Sequence, residues 1–291
     1  MLKEGFYCAL GTPLDRDGNI VRDSLKGHIE SQIEAGASGL LLMGTMGMLG
    51  CIKTDQYQVA VETAVEAVHN RVPLLVGAAD NSISRVKDRL DILNQYNVSV
   101  VLTAPYYFGM TQQTAMNYFK AAASLTDHSV YLYDHPFTAR YKLTYQDVLE
   151  LAAVGNINGI KTGDTVLIKS LHDTTELKEN FTPIFSNSDL FAVGHAYGIK
   201  HILDGIFACF PRTIKAAQEA FDKGDFEAGK AALNQMMKAR DDMFVVGIWP
   251  AFSYAMNLLG FKGSFCPDYE PELTETEKSL IKSILEESKE I

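Results

Sequence analysis

Short apolar runs alternate along the chain with longer stretches of helical period. The runs are residues 7–10, 39–43, 73–76, 98–102, 130–133, 157–160, 182–185 and 204–208. Each has the length of a fully buried strand. Between them, Leu25, Ile29 and Ile33 share one helical face. So do Val59, Thr63, Ala64 and Ala67, and then Val86, Leu90 and Leu93. Strands apolar on both faces belong to a parallel sheet covered by helices. Eight such units over roughly 210 residues predict a (β/α)8 barrel, in preference to a doubly wound open sheet.

Beyond about residue 212 the strand pattern stops. Residues 216–221, 226–237 and 245–259 read as helices, and a last helix starts near Thr274. Thr274 with Glu277 makes a capping box, and Leu280, Ile281, Ile284 and Leu285 make an apolar stripe. This divides the chain into a catalytic barrel, residues 1–212, and a helical extension packed on it, residues 213–291. The acidic tail with Glu286, Glu287 and Glu290 reads as a wet helix face.

Composition narrows the class. Hydrophobic residues make up 47% and charged residues 21% of 291, which excludes a disordered chain, a collagen-like chain and a disulfide scaffold. The net charge is −10, so the chain is expected to repel nucleic acid and anionic membrane. No stretch reaches the ~18 apolar residues of a transmembrane helix. The opening apolar segment is short and meets Gly-Thr-Pro, unlike an export signal. Cys8, Cys51, Cys209 and Cys266 are scattered, with no C-x-x-C pair and no histidine at finger spacing. They read as reduced thiols in a cytoplasm, and no metal site is expected.

In a barrel the chemistry lies at the carboxyl ends of the strands. Those ends carry the loop from Gly44 to Gly50, then Tyr106 and Tyr107, Tyr133 to Pro136, Lys161, and Ser186 to Asp189. By position, Lys161 fits either a lysine reaching solvent or a desolvated amine able to attack a carbonyl. Tyr133 fits either a core tyrosine or a proton carrier. The glycine loop fits either a tight turn or an amide cradle for an anion. Its G-x-x-G-x-x-G spacing is not the dinucleotide fingerprint. His135, His195 and His201 read as structural or peripheral, and Asp15 and Asp17 as solvated turn residues.

These pieces resemble, in order, the dihydrodipicolinate synthase / N-acetylneuraminate lyase family of Schiff-base-forming class I aldolases. The segments are Ala9-Leu10-Gly11-Thr12-Pro13-Leu14 with Asp17-Gly18, Gly36-Ala37-Ser38-Gly39 with Gly44-Thr45-Met46-Gly47, and Pro105-Tyr106-Tyr107 with Gln112. Tyr133-Asp134-His135-Pro136 and Gly159-Ile160-Lys161 follow. The resemblance spans about residues 5–260, with motifs spaced one per βα unit. It implies that Lys161 forms an imine with a 2-keto acid such as pyruvate, and that Tyr133 shuttles protons. It implies that Thr45 links Tyr133 to Tyr107, the latter lent by a neighbouring subunit of a homotetramer. Gly44, Met46, Gly47, Arg140, Asp189 and Ile206 are the implied substrate-binding positions. The covalent imine takes the place of any metal or organic cofactor, and an aldehyde is the second reactant.

Departures from the family pattern narrow this reading. Met46 replaces a second hydroxyl and Met48 a glutamate. Thr138 stands where the synthases have arginine, with Arg140 two residues on. Against the sialic acid lyases, Asp189-Leu190 replaces an Asp-Glu pair and Ala208 replaces a serine. The expectation is a lyase acting on a 2-keto acid, such as a 2-keto-3-deoxy sugar acid, with the dihydrodipicolinate and N-acetylneuraminate activities as alternatives. Met46, Met48, Phe108, Phe137 and Phe207 suggest a smaller or more apolar substrate. Two rivals come from other classes: a catalytically silent keto-acid-binding barrel, and a nucleotide-binding oxidoreductase resting on the glycine loop.

Overall fold

The eight apolar runs become eight parallel strands that close into one barrel in sequence order. The computed structural model describes residues 2–291. The strands are β1 (Gly5–Ala9), β2 (Gly39–Leu42), β3 (Leu74–Gly77), β4 (Ser99–Thr103), β5 (Val130–Asp134), β6 (Ile157–Thr162), β7 (Thr182–Phe185) and β8 (His201–Asp204). A helix follows each: α1 (Arg22–Glu34), α2 (Thr54–Val68), α3 (Ile83–Leu93), α4 (Gln112–Ala123), α5 (Tyr145–Ala152), α6 (Thr165–His172), α7 (Phe191–Ala196) and α8 (Pro211–Asp222). The extension is α9 (Phe226–Phe244), α10 (Ile248–Leu258) and α11 (Glu275–Glu287), with α9 packed on α8. The division at residue 212 therefore falls inside α8, the helix of the eighth βα unit.

Side-chain size sets the barrel interior. Tyr7, Leu41, Leu75, Val101, Tyr131, Ile184 and Leu203 fill it. Two glycines make room for the tyrosine rings. A Cβ on Gly39 would lie 2.2 Å from the ring of Tyr7, and one on Gly159 would lie 2.5 Å from that of Tyr131. The opposite strand faces build the larger core between sheet and helices, with Phe6, Leu42, Val76, Leu102, Leu132 and Ile160. Burying both faces is what makes the runs apolar throughout.

The sequence expectations need correction at three places. The eighth strand is not 204–208. Polar Lys200 and His201 mask its start, and Ile206–Ala208 is a 3-10 turn beneath α8. His201 belongs to the strand, its Nε2 3.2 Å from the carbonyl of Leu2. On α2 the buried stripe is Tyr57, Ala60, Val61, Thr63, Ala64 and Val68, because the Tyr57 hydroxyl reaches inward to the carbonyl of Gly77 (2.9 Å). That rotates Val59 and Ala67 toward the margin.

The third correction concerns Glu290, which is buried at 3% exposure rather than wet. Its carboxylate accepts the N–H groups of Arg212 (2.9 Å) and Thr213 (2.8 Å) and the hydroxyl of Thr213 (2.6 Å). The residue at the start of α8, Phe210, offers no side-chain cap. The tail thus caps α8 from 77 residues away, a charge-assisted version of the usual local cap. Glu290→Ala is expected to cost about 1.5–3 kcal/mol of unfolding free energy, read by urea denaturation. The Thr274–Glu277 box forms as predicted, with both backbone N–H groups bonded to the partner side chain.

Candidate active site

Lys161 and Tyr133 meet because of an irregularity in strand pairing. Val130 of β5 pairs with Ile157 of β6, but the next pair is Tyr131 with Gly159, so Asn158 is an extra residue. Beyond this bulge Tyr133 pairs with Lys161. Regular pairing would have placed Ile160 beside Tyr133 and turned Lys161 toward the helices, since side chains alternate between faces. The bulge instead brings Lys161 inward, where it is 7% exposed with Nζ 3.9 Å from the centre of the Tyr133 ring. The Tyr133 hydroxyl lies 3.3 Å from Thr45 Oγ1.

Thr45 belongs to the glycine-rich loop after β2, and its backbone explains its residues. The left-handed positions are Met43 (φ 55°) and Met48 (φ 54°), not the glycines. Such geometry costs roughly 1–2 kcal/mol for each non-glycine residue. The glycines serve close approach instead. A Cβ on Gly77 would lie 1.9 Å from the Met43 carbonyl oxygen, and one on Gly47 would lie 2.9 Å from the Met43 nitrogen. The Thr12 hydroxyl, in the loop after β1, donates to the Gly47 carbonyl (2.7 Å) and fixes the glycine-rich loop. Among the described residues, the N–H groups of Thr45, Met46 and Gly47 donate to no protein acceptor. Three successive free amides suit a carboxylate.

A cavity of about 540 Å³ opens above Lys161. Thr45, Met46, Tyr133, His135, Lys161 and Asp189 are in its wall, with Asp134, Asp164, Asp204 and Lys142. Met46 packs so tightly on Gly205 that a Cβ there would lie 2.1 Å from Met46 Cγ. Phe137, 95% exposed, stands at the rim. Phe207 is in the core, Phe108 is exposed and Met48 faces a different cavity, so these three do not shape this pocket.

The charge pairing among these side chains was not legible from the motifs. Lys142 pairs with Asp134 and, at 3.3 Å, with Asp164. Asp134 also accepts the Thr162 hydroxyl (2.8 Å) and the Leu143 N–H (3.1 Å). Asp164 caps α6 through the N–H groups of Val166 and Leu167, both 2.9 Å. Asp189 is held by Arg240 of α9 (2.7 Å), which also bonds Ser188 Oγ (2.9 Å). His135 is not peripheral: it lines the cavity with its ring 5.1 Å from that of Tyr133. Burial, and then the charge of Lys161, lowers its pKa, which favours the neutral ring. Crowding by protein atoms raises the Asp204 carboxyl, opposed by the Ile206 N–H and by Lys161. His195, stacked on Phe221 at 4.1 Å, is a packing residue.

Other predicted positions lie outside the main cavity. Arg140 is exposed and follows a turn that returns its N–H to Pro105, 3.5 Å away. Ile206 points into the helix-side core, leaving Gly205 at the wall. Gly47 lines neither cavity, and Gly44 lines a second, more apolar cavity of about 450 Å³. That cavity shares Thr45 and Tyr133 with the first and includes Met48, Tyr106, Trp249 and Tyr269. Tyr107 lines neither cavity. It is 72% exposed beside Phe108, and the side-chain carbonyl of Asn81 holds its N–H and that of Tyr106, each at 3.0 Å.

The fold is a closed (β/α)8 barrel with a buried lysine at the carboxyl end of β6, facing a tyrosine. The sequence model of the Dihydrodipicolinate synthetase family matches residues 3–288, and the chain belongs to that family. It is 27% identical over 263 residues to the 4-hydroxy-tetrahydrodipicolinate synthase of Acidiphilium cryptum, covering 90% of each chain. It is 23% identical over 291 residues to that of Methanosphaera stadtmanae, covering 98% of each. Among solved structures, it is similar to a prophage protein of the same family from E. coli K12 in complex with pyruvate. The TM-score is 0.89 at 21% identity, over 99% of both chains. A chloride-inhibited dihydrodipicolinate synthase from Acinetobacter baumannii complexed with pyruvate gives 0.88 at 19%, over 100% of both. At those identities the structural likeness speaks for the fold alone.

Proposed function

We propose that the chain makes or cleaves a carbon–carbon bond through an imine between Lys161 and pyruvate or another 2-keto acid. The observation that carries this is the buried Lys161 amine, 3.9 Å from the Tyr133 ring, in a cavity edged by free loop amides. The amides of Thr45 and Met46 receive the keto acid's carboxylate. The Lys161 amine attacks the keto carbon, and the carbinolamine loses water to leave an imine. The imine draws electrons from the methyl carbon, which gives up a proton to become an enamine. That carbon adds to an aldehyde, whose oxygen takes a proton, and water then releases the product and regenerates the amine. Cleavage runs the same steps backwards. Tyr133, bonded to Thr45, carries protons between these oxygens. The scheme calls for no metal and no organic cofactor.

The pyruvate complexes of two similar proteins support pyruvate as the keto acid. The exposure of Tyr107 and Phe108 supports an assembly in which Tyr107 reaches a neighbouring copy, a homotetramer as in the sequence reading. Four free thiols support a cytoplasmic site of action.

Reduction with borohydride in the presence of pyruvate is expected to add one reduced pyruvyl mass at Lys161, located by peptide mass spectrometry. A folded protein with no such adduct would overturn the imine. Met46, in place of a polar group in the cavity wall, favours one rival, a barrel that binds a keto acid without turning it over. An adduct without turnover of any aldehyde would decide for that rival.

A further inference from the structure

The cavity wall holds four aspartates and two lysines, and most of these charges are committed to one another. Asp134 and Asp164 share Lys142, and Asp189 is held by Arg240. Arg240 in turn is shared with Asp241 (2.6 Å). Arg140 lies outside the cavity. Two charges remain. Lys161 has no carboxylate within salt-bridge distance, and Asp204 has no cation within it, among the described residues. Asp204 ends β8, two strands from Lys161, and its Oδ1 accepts the Ile206 N–H at 2.9 Å. Beside it the wall is neutral and polar, with Ser186, Asn187 and Ser188 after β7.

This arrangement bears on the second reactant. Once the keto acid occupies Lys161 and the loop amides, no free cation is left for another anionic group. An uncommitted carboxylate is left instead. We propose that Asp204 determines specificity for the aldehyde partner, accepting a hydrogen bond from its hydroxyl and repelling a partner that carries a carboxylate there. The substrate class is then a neutral hydroxylated aldehyde, or the 2-keto acid that yields one on cleavage. Asp204 suits the role physically. An acceptor in a partly desolvated wall loses more when a ligand brings no donor than a solvated one would. Two carboxylates in such surroundings repel strongly. The inference rests on the imine reading, so the test separates the two.

The wild-type chain, Asp204→Leu and Asp204→Asn are first trapped with pyruvate and borohydride, and adduct at Lys161 is scored. Condensation of pyruvate with glyceraldehyde, propanal and succinic semialdehyde is then measured as kcat and KM. The wild type is expected to favour glyceraldehyde over propanal by at least about 10-fold in kcat/KM, and to use succinic semialdehyde least. Asp204→Leu is expected to collapse the glyceraldehyde preference, chiefly through KM. Asp204→Asn, which keeps an acceptor but loses the charge, is expected to retain much of that preference and raise succinic semialdehyde use by about 10-fold. Adducts on all three proteins with unchanged aldehyde ratios would overturn the role of Asp204 and leave the imine standing. Loss of the adduct in the variants alone would also overturn it, by showing that Asp204 serves Lys161. No adduct on the wild type would overturn the imine itself.

Discussion

Lys161→Ala is expected to lower turnover of any accepted 2-keto acid by on the order of 10^4-fold or more, the scale on which enzymes lose a covalent nucleophile. The residue is the one amine in the cavity that no carboxylate holds, so no neighbour can take its place at that position. Lys142 lines the same wall, but its ammonium is held between Asp134 and Asp164. The loop amides proposed to receive the carboxylate are untouched by the change, so keto-acid binding should weaken far less than turnover does. A coupled assay for pyruvate release, with circular dichroism to show an intact barrel, reads the effect. Turnover within tenfold of wild type would reject Lys161 as the nucleophile.

Tyr133→Phe is expected to reduce turnover by about 10^2- to 10^4-fold, the usual range for loss of a positioned acid or base. This substitution is informative because it keeps the ring on which the Lys161 amine rests at 3.9 Å. The cavity shape and the cation–π contact survive, and the hydroxyl alone is lost, together with its 3.3 Å contact to Thr45. The adduct with pyruvate should still form, slowly, because water loss from the carbinolamine no longer has its proton donor. Stopped-flow measurement of imine formation in parallel with steady-state kinetics separates the two effects. A wild-type rate in Tyr133→Phe would assign proton transfer elsewhere, and His135, 5.1 Å from the same ring, would be the next residue to replace.

The barrel itself was legible because its physics is local. A strand buried on both faces must be apolar throughout, and a helix lying on it must be apolar along one stripe, so the alternation survives in one dimension. Legibility failed where polar residues do buried work. His201 starts β8 by bonding the Leu2 carbonyl, and Glu290 caps α8 from the far end of the chain. Both look like surface residues in sequence, since their partners are remote. The site divides the same way. Lys161, Tyr133 and Thr45 sit in recognisable motifs, and the fold brings them together. Arg140 stands two residues past Thr138, the position of the synthases' arginine, and a short turn carries it out of the cavity. Arg240 and Asp204 lie in helix and strand contexts with no motif around them.

Chain order set the eightfold alternation, the helical tail and the short list of candidate residues, because each depends on near neighbours along the chain. The tertiary structure alone decided which of those residues face one another. The extra residue Asn158 in the β5–β6 pairing turns Lys161 into the barrel instead of toward the helices. Left-handed methionines, not glycines, shape the loop after β2, since Thr12, beyond β1, and Gly77 of β3 hold it from other βα units. Which cavity charges remain free was likewise decided in three dimensions. Charge pairing depends on distances of a few ångströms across elements far apart in sequence, and chain order does not encode those distances directly.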